Sequence, residues 1–575
     1  MEIRLSEKLS FDWKVEKIGV IGPGIVGMPM ASLLANARIK IGTDQPAKVV
    51  VIQRNSVNSG WKVGAINQGK SVIGGIEPGL DRITNEVVEA GLLSASYDFS
   101  NLSDADMILV SIQTDKAGFA PDYGPLMGGL TSLAEALQKK PAHKVPVIVF
   151  ESTLAPSSMA TVIKDHFASY GLIEGKDILL GNSPNRVMPG RLVERVTDSD
   201  KLVAGLHPET PKMIKHVYKH IVTKGELYET NSMTAEVVKT LENAYRDVRI
   251  AFSTELVRYC DNHNIDFYPI REEINKRMMQ TDHATTDPNA VPSGGILIPM
   301  LGVGGHCLPK DGILLWWRRI ESKEDTNDSL IINSRVINDE SPENTIALCE
   351  NNIGKVDGKR IAILGTAYRF NSEDTRNSPS LQLALALKKR GCEVILQDPY
   401  VKMDDQNLKK TNLTNNFTND LKLALANTDL VFMGTAHQDY IQKFDDIITY
   451  ANTLEGLVDA CNIFKAAQFQ DSSIKYTGIG RGTQAPTPAF IDFVFDSFHT
   501  METGLGNEVR DLCLFLNKTY ADGKFNLVDF KEVQRLAATC STGCEIANPD
   551  VLTKVPEFKG FKFRLAENAV ASSRN

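Results

Sequence analysis

The sequence predicts an α/β protein in which two doubly wound parallel sheets are joined by a long central helix and followed by a C-terminal extension. Three observations carry this. Residues 17–21, Lys-Ile-Gly-Val-Ile, run straight into Gly22-Pro23-Gly24-Ile25-Val26-Gly27 and a small-residue apolar stretch to Ala35, which is the order strand, tight turn, helix. Short apolar runs recur at 48–53, 107–112, 145–150 and 178–180, and a second series follows at 360–365, 393–397, 430–432 and 457–459. Strands alternating with helical or loop sequence are what a parallel sheet covered on both faces requires. Between the two series, Val237, Leu241, Ala244, Tyr245, Val248, Phe252 and Leu256 are spaced by three and four, the period of one long helix from 232 to about 262.

The expected divisions are a Rossmann-like first domain over 1–230, a helical centre over 231–353, a second Rossmann-like domain over 354–482 and an extension over 483–575. A chain of 575 residues is too long for one core. With 42% hydrophobic and 23% charged residues the composition is that of an ordinary globular protein. A net charge of -8 argues against general affinity for nucleic acid or an anionic membrane. Neither a basic-then-apolar leader nor a bilayer-length apolar run is present, which predicts a cytoplasmic protein. The cysteines, at 260, 307, 349, 392, 461, 513, 540 and 544, form no dense framework and read as free thiols. Cys540 and Cys544 lack the two further ligands a metal site needs, so no metal is expected.

In the first glycine-rich turn, Gly22 permits the turn, Gly24 lets a pyrophosphate approach, and Gly27 lets helix and strand pack closely. Ile25 and Val26 complete the turn, and the helix N-terminus offers free N–H groups to phosphates. Dinucleotide binding is therefore expected. The second strand ends in Gln53-Arg54 where an acidic residue would bond the ribose of NAD. Gln53 can still bond a ribose hydroxyl, whereas Arg54 either neutralises a 2′-phosphate or is a solvated loop residue. Thr114 and Glu151-Ser152-Thr153 fall at the C-terminal ends of two predicted strands, where ligands bind in such sheets.

The stretch Gly302-Val303-Gly304-Gly305-His306-Cys307-Leu308-Pro309-Lys310-Asp311 brings the backbone close to whatever lies beside Cys307, because only glycine lacks a Cβ. Lys310 and Asp311 can set the charge around the thiol. The expectation is a nucleophile, and the alternative is a buried structural cysteine in a glycine-rich turn. Lys239 and Asn243, four apart on the long helix, share a face. In the second domain only Gly365 marks the first turn, which describes a Rossmann-like unit that need not hold a dinucleotide. Ser378 is expected to cap a helix to about residue 390. In the extension, Asp529 and Glu532 predict the start of a short helix, and nothing catalytic stands out.

Together these blocks resemble the UDP-sugar 6-dehydrogenase family over roughly residues 17 to 482, most closely the branch acting on UDP-N-acetylhexosamines, UDP-ManNAc or UDP-GlcNAc. The carrying residues are the Gly22–Gly27 turn, Glu151-Ser152-Thr153, Arg186-Val187-Met188-Pro189-Gly190-Arg191, Lys239 with Asn243 and Arg246-Asp247, Gly304-Gly305-His306-Cys307 through Asp311, and Asp374-Thr375-Arg376 with Ser378-Pro379. His306 resembles the N-acetylhexosamine branch. The resemblance implies a four-electron oxidation of the sugar's C6 alcohol to a carboxylate with NAD, through a thiohemiacetal and thioester on Cys307. It implies that Lys239 and Asn243 stabilise the oxygen intermediates and that Asp311 orients or deprotonates water. Thr114 and Thr153 are expected by the nicotinamide, and Lys310 and Arg376 with the cofactor. Asn185, Arg186, Val187, Lys239, Asn243, Arg246 and Gly304 are expected with the sugar nucleotide, Tyr368 and Arg369 adding a uridine or phosphate contact. A homodimer through the central helix is implied as well.

The chain departs from the family pattern at four places. Asn185 stands where relatives have Glu and cannot act as a base. Thr114-Asp115 replaces the usual Thr-Pro-Thr. The basic or His residue expected before the Cys307 loop is absent, His283 being a distant candidate, and Arg369 replaces a lysine. Two other readings remain in view: a UDP-glucose or two-electron 6-phosphogluconate-type dehydrogenase, for which Cys307 would be dispensable in the two-electron case, and a catalytically weakened nucleotide-sugar binding or regulatory protein.

Overall fold

The computed structural model describes residues 13–74, 77–187, 190–278, 295–323, 326–540 and 543–573. The chain forms two compact units, each assembled from separate stretches: Met1–Glu242, Ile313–Glu324 and Val509–Ile546 in the first, and Asn243–Gly312, Asp325–Glu508 and Ala547–Asn575 in the second. The fold is mixed α/β with two Rossmann-like sheets and a long central helix, as the sequence predicts.

The first unit holds an eight-stranded sheet. Its spatial order is Leu227–Asn231, Lys201–Gly205, Leu179–Asn182, Val147–Phe150, Met107–Val110, Lys17–Ile21, Lys48–Ile52 and Leu93–Ser96. All neighbours are parallel except Leu179–Asn182 against Lys201–Gly205. Residues alternate between two apolar cores along each strand: Val20, Val49, Val51, Leu109 and Val149 enter one, and Ile21, Val50, Ile52, Val110 and Phe150 the other. That is the two-residue period of a sheet buried on both faces. The order reverses on either side of Lys17–Ile21, which puts the Gly22–Gly27 turn at a switch point, where such sheets bind ligands.

The second unit holds a six-stranded parallel sheet in the order Phe417–Thr418, Glu393–Gln397, Arg360–Leu364, Leu430–Met433, Gly456–Asp459 and Lys475–Gly478. Ser378 caps the helix Pro379–Lys389, accepting from Ser380 N–H. The long helix runs Ser232–Asn262, within the span read from the sequence.

The extension is more ordered than its sequence suggested. It opens with a helix of 33 residues, Pro488–Tyr520. Gly504 lies inside it because a Cβ there would run into the Cβ of Ala569 on the helix Arg564–Ser572, so close helix packing outweighs glycine's poor helix propensity. Phe252 of the long helix packs its ring 5.2 Å from Phe498 and 4.8 Å from Phe563, and the Glu255 carboxylate accepts from the backbone N–H groups of Arg564 and Leu565. Asp529 caps the shorter helix Phe530–Ala537 by accepting from Glu532 N–H.

Because Phe252 is fully buried between two rings of the extension, Phe252→Ala is expected to destabilise the second unit by about 3–5 kcal/mol. Chemical denaturation followed by fluorescence checks this; an unchanged midpoint would mean that the extension does not pack there.

Candidate active site

The first unit carries one set of site residues, built at the C-terminal ends of its strands. Gly22 has φ +88°, and a Cβ on it would lie 2.8 Å from the Ser111 carbonyl oxygen, while one on Gly27 would collide with the Gly22 carbonyl. A Cβ on Gly24 would meet nothing within 4 Å. Two glycines are thus required by the chain's own backbone, and Gly24, with Ile25 and Val26 beside it, leaves the approach open at the start of the helix Gly27–Asn36. These features fit a dinucleotide pyrophosphate. Lys62, which sequence reasoning missed, places its ammonium 3.4 Å from the Pro23 carbonyl oxygen, and burial lowers its pKa. Gln53 donates its amide to Ser59 Oγ and the Arg54 carbonyl. Arg54 is exposed. Thr114 donates to the Thr153 carbonyl at 2.7 Å, tying two expected cofactor residues to each other.

Beside them lies a buried charge cluster. Glu151 accepts from Asn185 Nδ2 at 2.9 Å, Lys201 Nζ at 2.8 Å and the Tyr218 hydroxyl. Burial lowers the Lys201 pKa and Glu151 raises it, with the nearby charges of Arg186 and Lys239 pulling it down again. Arg186 pairs with Glu242 at 2.5 Å. Burial pushes the Glu242 carboxyl up, opposed by Arg186, Lys239 and a hydrogen bond from Cys540. Lys239 itself is 9% exposed. Asn185, Arg186 and Lys239 are therefore brought together, along with Lys201, Tyr218 and Glu242, which the sequence did not single out. The signal for Glu242 was its i,i+3 spacing from Lys239. Val187 packs against the apolar core. Met188 and Pro189 of the same motif, and His283, lie outside the described residues.

The second unit carries the other set. Cys307 directly precedes the helix Leu308–Glu321 and its carbonyl accepts from the N–H groups of Lys310 and Asp311. The residue thus sits at the N-terminal, positive end of that helix. Cys307 is exposed, whereas Cys260, Cys349, Cys392, Cys513, Cys540 and Cys544 are buried and Cys461 is half-buried. The glycines before it pack under Tyr368: a Cβ on Gly304 would collide with Tyr368 Cβ, and one on Gly305, at φ +88°, would lie 3.0 Å from the ring. Gly305 N–H donates to the Arg376 carbonyl and its own carbonyl accepts from Asn377 Nδ2. Burial raises the Tyr368 pKa, with a contribution from the Cys307 charge.

Asp311 is fully buried and accepts from Asn243 Nδ2 at 2.6 Å and from Lys310 Nζ at 2.5 Å. Lys310, expected with the cofactor, thus spends its ammonium on Asp311. Arg376 donates to both carboxylate oxygens of Asp374, from Nε at 2.9 Å and from Nη2 at 2.5 Å, and its pKa is raised by Asp374 first and by Tyr368 and Cys307 after it. Arg246 and Arg369 are half-buried, the latter with its guanidinium 5.6 Å from the Phe370 ring centre. Among the described residues, no group of three or more His, Cys, Asp or Glu side chains is arranged to hold a metal ion, and no helix is long and apolar enough to cross a membrane.

A Rossmann-like sheet with an open glycine turn, paired in the same chain with a solvent-facing thiol at a helix start, defines the class as an NAD-binding oxidoreductase. Models of the UDP-glucose/GDP-mannose dehydrogenase family match in three stretches: the NAD binding domain over residues 16–222, the central domain over 233–340 and the UDP binding domain over 362–466. The chain belongs to that family. It is 28% identical over 471 residues to a UDP-N-acetyl-D-mannosamine dehydrogenase of Pyrococcus horikoshii, covering 81% of this chain and 99% of the relative. To one of the same name from Campylobacter jejuni it is 28% identical, covering 76% and 98%. The crystal structure of an NDP-N-acetyl-D-galactosaminuronic acid dehydrogenase from Methanosarcina mazei superposes with a TM-score of 0.70 at 30% identity, covering 83% of this chain and 98% of that one.

One thiol is expected to react first in the native protein. Brief treatment with iodoacetamide followed by peptide mass spectrometry should find Cys307 modified and Cys461, whose pKa burial drives well above the ordinary thiol value, untouched. Faster labelling of any other cysteine would remove the case for an accessible thiolate at 307.

Proposed function

We propose that the chain oxidises the C6 hydroxyl of a UDP-N-acetylhexosamine, UDP-ManNAc or UDP-GlcNAc, to the uronate with NAD. The observation that carries this is the exposure of Cys307 at the start of a helix in a glycine loop; an alcohol-to-carbonyl oxidation alone has no use for such a thiol. The names of the curated relatives support the N-acetylhexosamine substrate, and His306 agrees with that branch.

The residues around the first glycine turn fit NAD, with Gly22, Gly24 and Gly27 at the pyrophosphate, Gln53 at the ribose, and Thr114 and Thr153 by the nicotinamide. When bound, NAD supplies the hydride acceptor for both oxidations. The chain's own groups do the rest. Cys307 thiolate adds to the C6 aldehyde as a thiohemiacetal, which keeps a reactive aldehyde bound and becomes a thioester on the second oxidation. Lys239 ammonium and Asn243 amide are the groups we assign to the negative oxygen of each stage. Asp311, paired with Lys310, is assigned to orient the water that opens the thioester. Arg186, Arg246, Tyr368 and Arg369 are assigned to the nucleotide and sugar. A cytoplasmic homodimer belongs to the same reading.

Incubating the protein with UDP-ManNAc, UDP-GlcNAc, UDP-glucose and GDP-mannose, each with NAD or NADP, and following reduced nicotinamide tests this reading. The expected result is two NADH per UDP-N-acetylhexosamine and, for Cys307→Ser, a fall in uronate production of about 1,000-fold or more. One NADH per sugar with Cys307→Ser fully active would favour a two-electron dehydrogenase instead. Tight UDP-sugar binding without any NADH would favour a binding protein.

A further inference from the structure

The extension beyond residue 482 lies outside the family matches, which end at residue 466, yet part of it reaches a residue assigned to the substrate. Arg186 Nη1 donates to Thr539 Oγ1 at 2.8 Å and Nη2 to the Leu536 carbonyl at 3.1 Å. Thr539 in turn donates its hydroxyl to the same Leu536 carbonyl at 2.8 Å. The hydroxyl is therefore used in both directions, as acceptor from the guanidinium and as donor to the last turn of the helix Phe530–Ala537. On its other side Arg186 pairs with Glu242, which also takes the Cys540 hydrogen bond.

This part of the extension is fastened independently of that contact. Asn517 and Val528 exchange two hydrogen bonds, at 2.9 and 2.7 Å, and Asn231 donates to the Leu527 carbonyl at 2.8 Å. The Arg318 guanidinium lies 4.7 Å from the Tyr520 ring centre while donating to Ser157 and Thr161. The Arg186 side chain is only 6% exposed, so its charge is held in low dielectric and its direction is set by the few groups that bond it. Two of those, the Thr539 hydroxyl and the Leu536 carbonyl, come from the extension.

We propose that the C-terminal extension is part of the substrate site, Thr539 and the Leu536 carbonyl being positioning residues that hold Arg186 and so set affinity for the sugar nucleotide. The proposal rests on the UDP-sugar reading above. It predicts a binding effect without a chemical one, because a residue acting on nucleotide binding changes ground state and transition state alike.

The test is steady-state kinetics of the full chain carrying Thr539→Val, which keeps the shape and removes the hydroxyl, and Thr539→Ser, which keeps the hydroxyl. Thr539→Val is expected to raise KM for the UDP-N-acetylhexosamine about 10-fold, the loss of one hydrogen bond to a charged group. KM for NAD and kcat should stay within about 2-fold, and Thr539→Ser should restore the wild-type KM, as expected of a uniform binding term. An unchanged KM in Thr539→Val, or a Thr539→Ser protein as impaired as Thr539→Val, overturns the proposal while wild-type turnover leaves the UDP-sugar reading standing. A wild type that makes no NADH overturns that reading and this one with it. If Thr539→Val does not fold, Thr539→Ala removes the same hydroxyl and is judged by the same outcomes, with its melting temperature as the control.

Discussion

Tyr368 and the backbone of residues 304 and 305 need the same space, and only the absence of side chains at those two positions lets both occupy it. That constraint governs the second unit's share of the site. With the loop drawn up to the tyrosine, Gly305 bonds to Arg376 and Asn377, and the chain emerges at Cys307 just as the next helix begins. The partner surface is itself pinned: Asp398 accepts from the N–H groups of Thr366 and Ala367 and from His437 Nε2, whose other ring nitrogen accepts from Asn371 N–H. A solvent-facing thiol therefore follows a loop packed on Tyr368, in the segment after the strand Arg360–Leu364. An alanine at 304 would displace the tyrosine or the loop, and either would move the sulfur.

The first unit solves a different problem, the burial of many charges close together. Isolated, each of Glu151, Lys201, Arg186, Glu242 and Lys239 would be costly to take out of water. They are tolerable because each faces an opposite charge or a set of donors: Glu151 receives three hydrogen bonds, and Glu242 answers Arg186. Breaking one member leaves its partner stranded, so this cluster is fixed in arrangement even though its net stabilisation is small. A rigid array of cationic groups at the strand ends is what an anionic nucleotide and a developing oxyanion call for.

Much of this was legible in the sequence because it is local. Turn, strand and helix periods gave both sheets and the long helix; the glycine spacing gave the dinucleotide turn; the glycine run before Cys307 gave an exposed thiol. What could not be read is what lies far apart along the chain. Lys201 and Tyr218 meet Glu151 across 50 and 67 residues, and nothing in a stretch such as Asp-Lys-Leu-Val marks its lysine as buried. Lys62 was hidden by the loop that brings it back to Pro23. The helix Pro488–Tyr520 was missed because its phenylalanines and Gly504 and Gly506 lower intrinsic helix propensity, although Phe490, Val494, Phe498, Met501, Leu505, Val509, Leu512 and Leu516 keep the three-to-four spacing. Their burial shows packing overriding propensity. Thr539 carried no signal at all, being one hydroxyl in an otherwise unremarkable turn.

Asn185 poses the sharpest chemical question, since on the proposed reading a carboxylate is wanted there to activate water. The amide has no proton-accepting role, and its donor is committed to Glu151 at 2.9 Å. Glu151 is a carboxylate in the right neighbourhood, but one oxygen takes two donors, Lys201 and Asn185, and the other takes Tyr218. Asp311 carries one donor on each oxygen, the Lys310 ammonium on one and the Asn243 amide on the other, one fewer in all than Glu151 receives. A thioester is also activated enough that orientation counts for more than basicity. On the proposed reading, the exchange of an acid for Asn185 passes the task of handling water to Asp311 in the helix Leu308–Glu321, four residues from the thiol assigned to hold the acyl group.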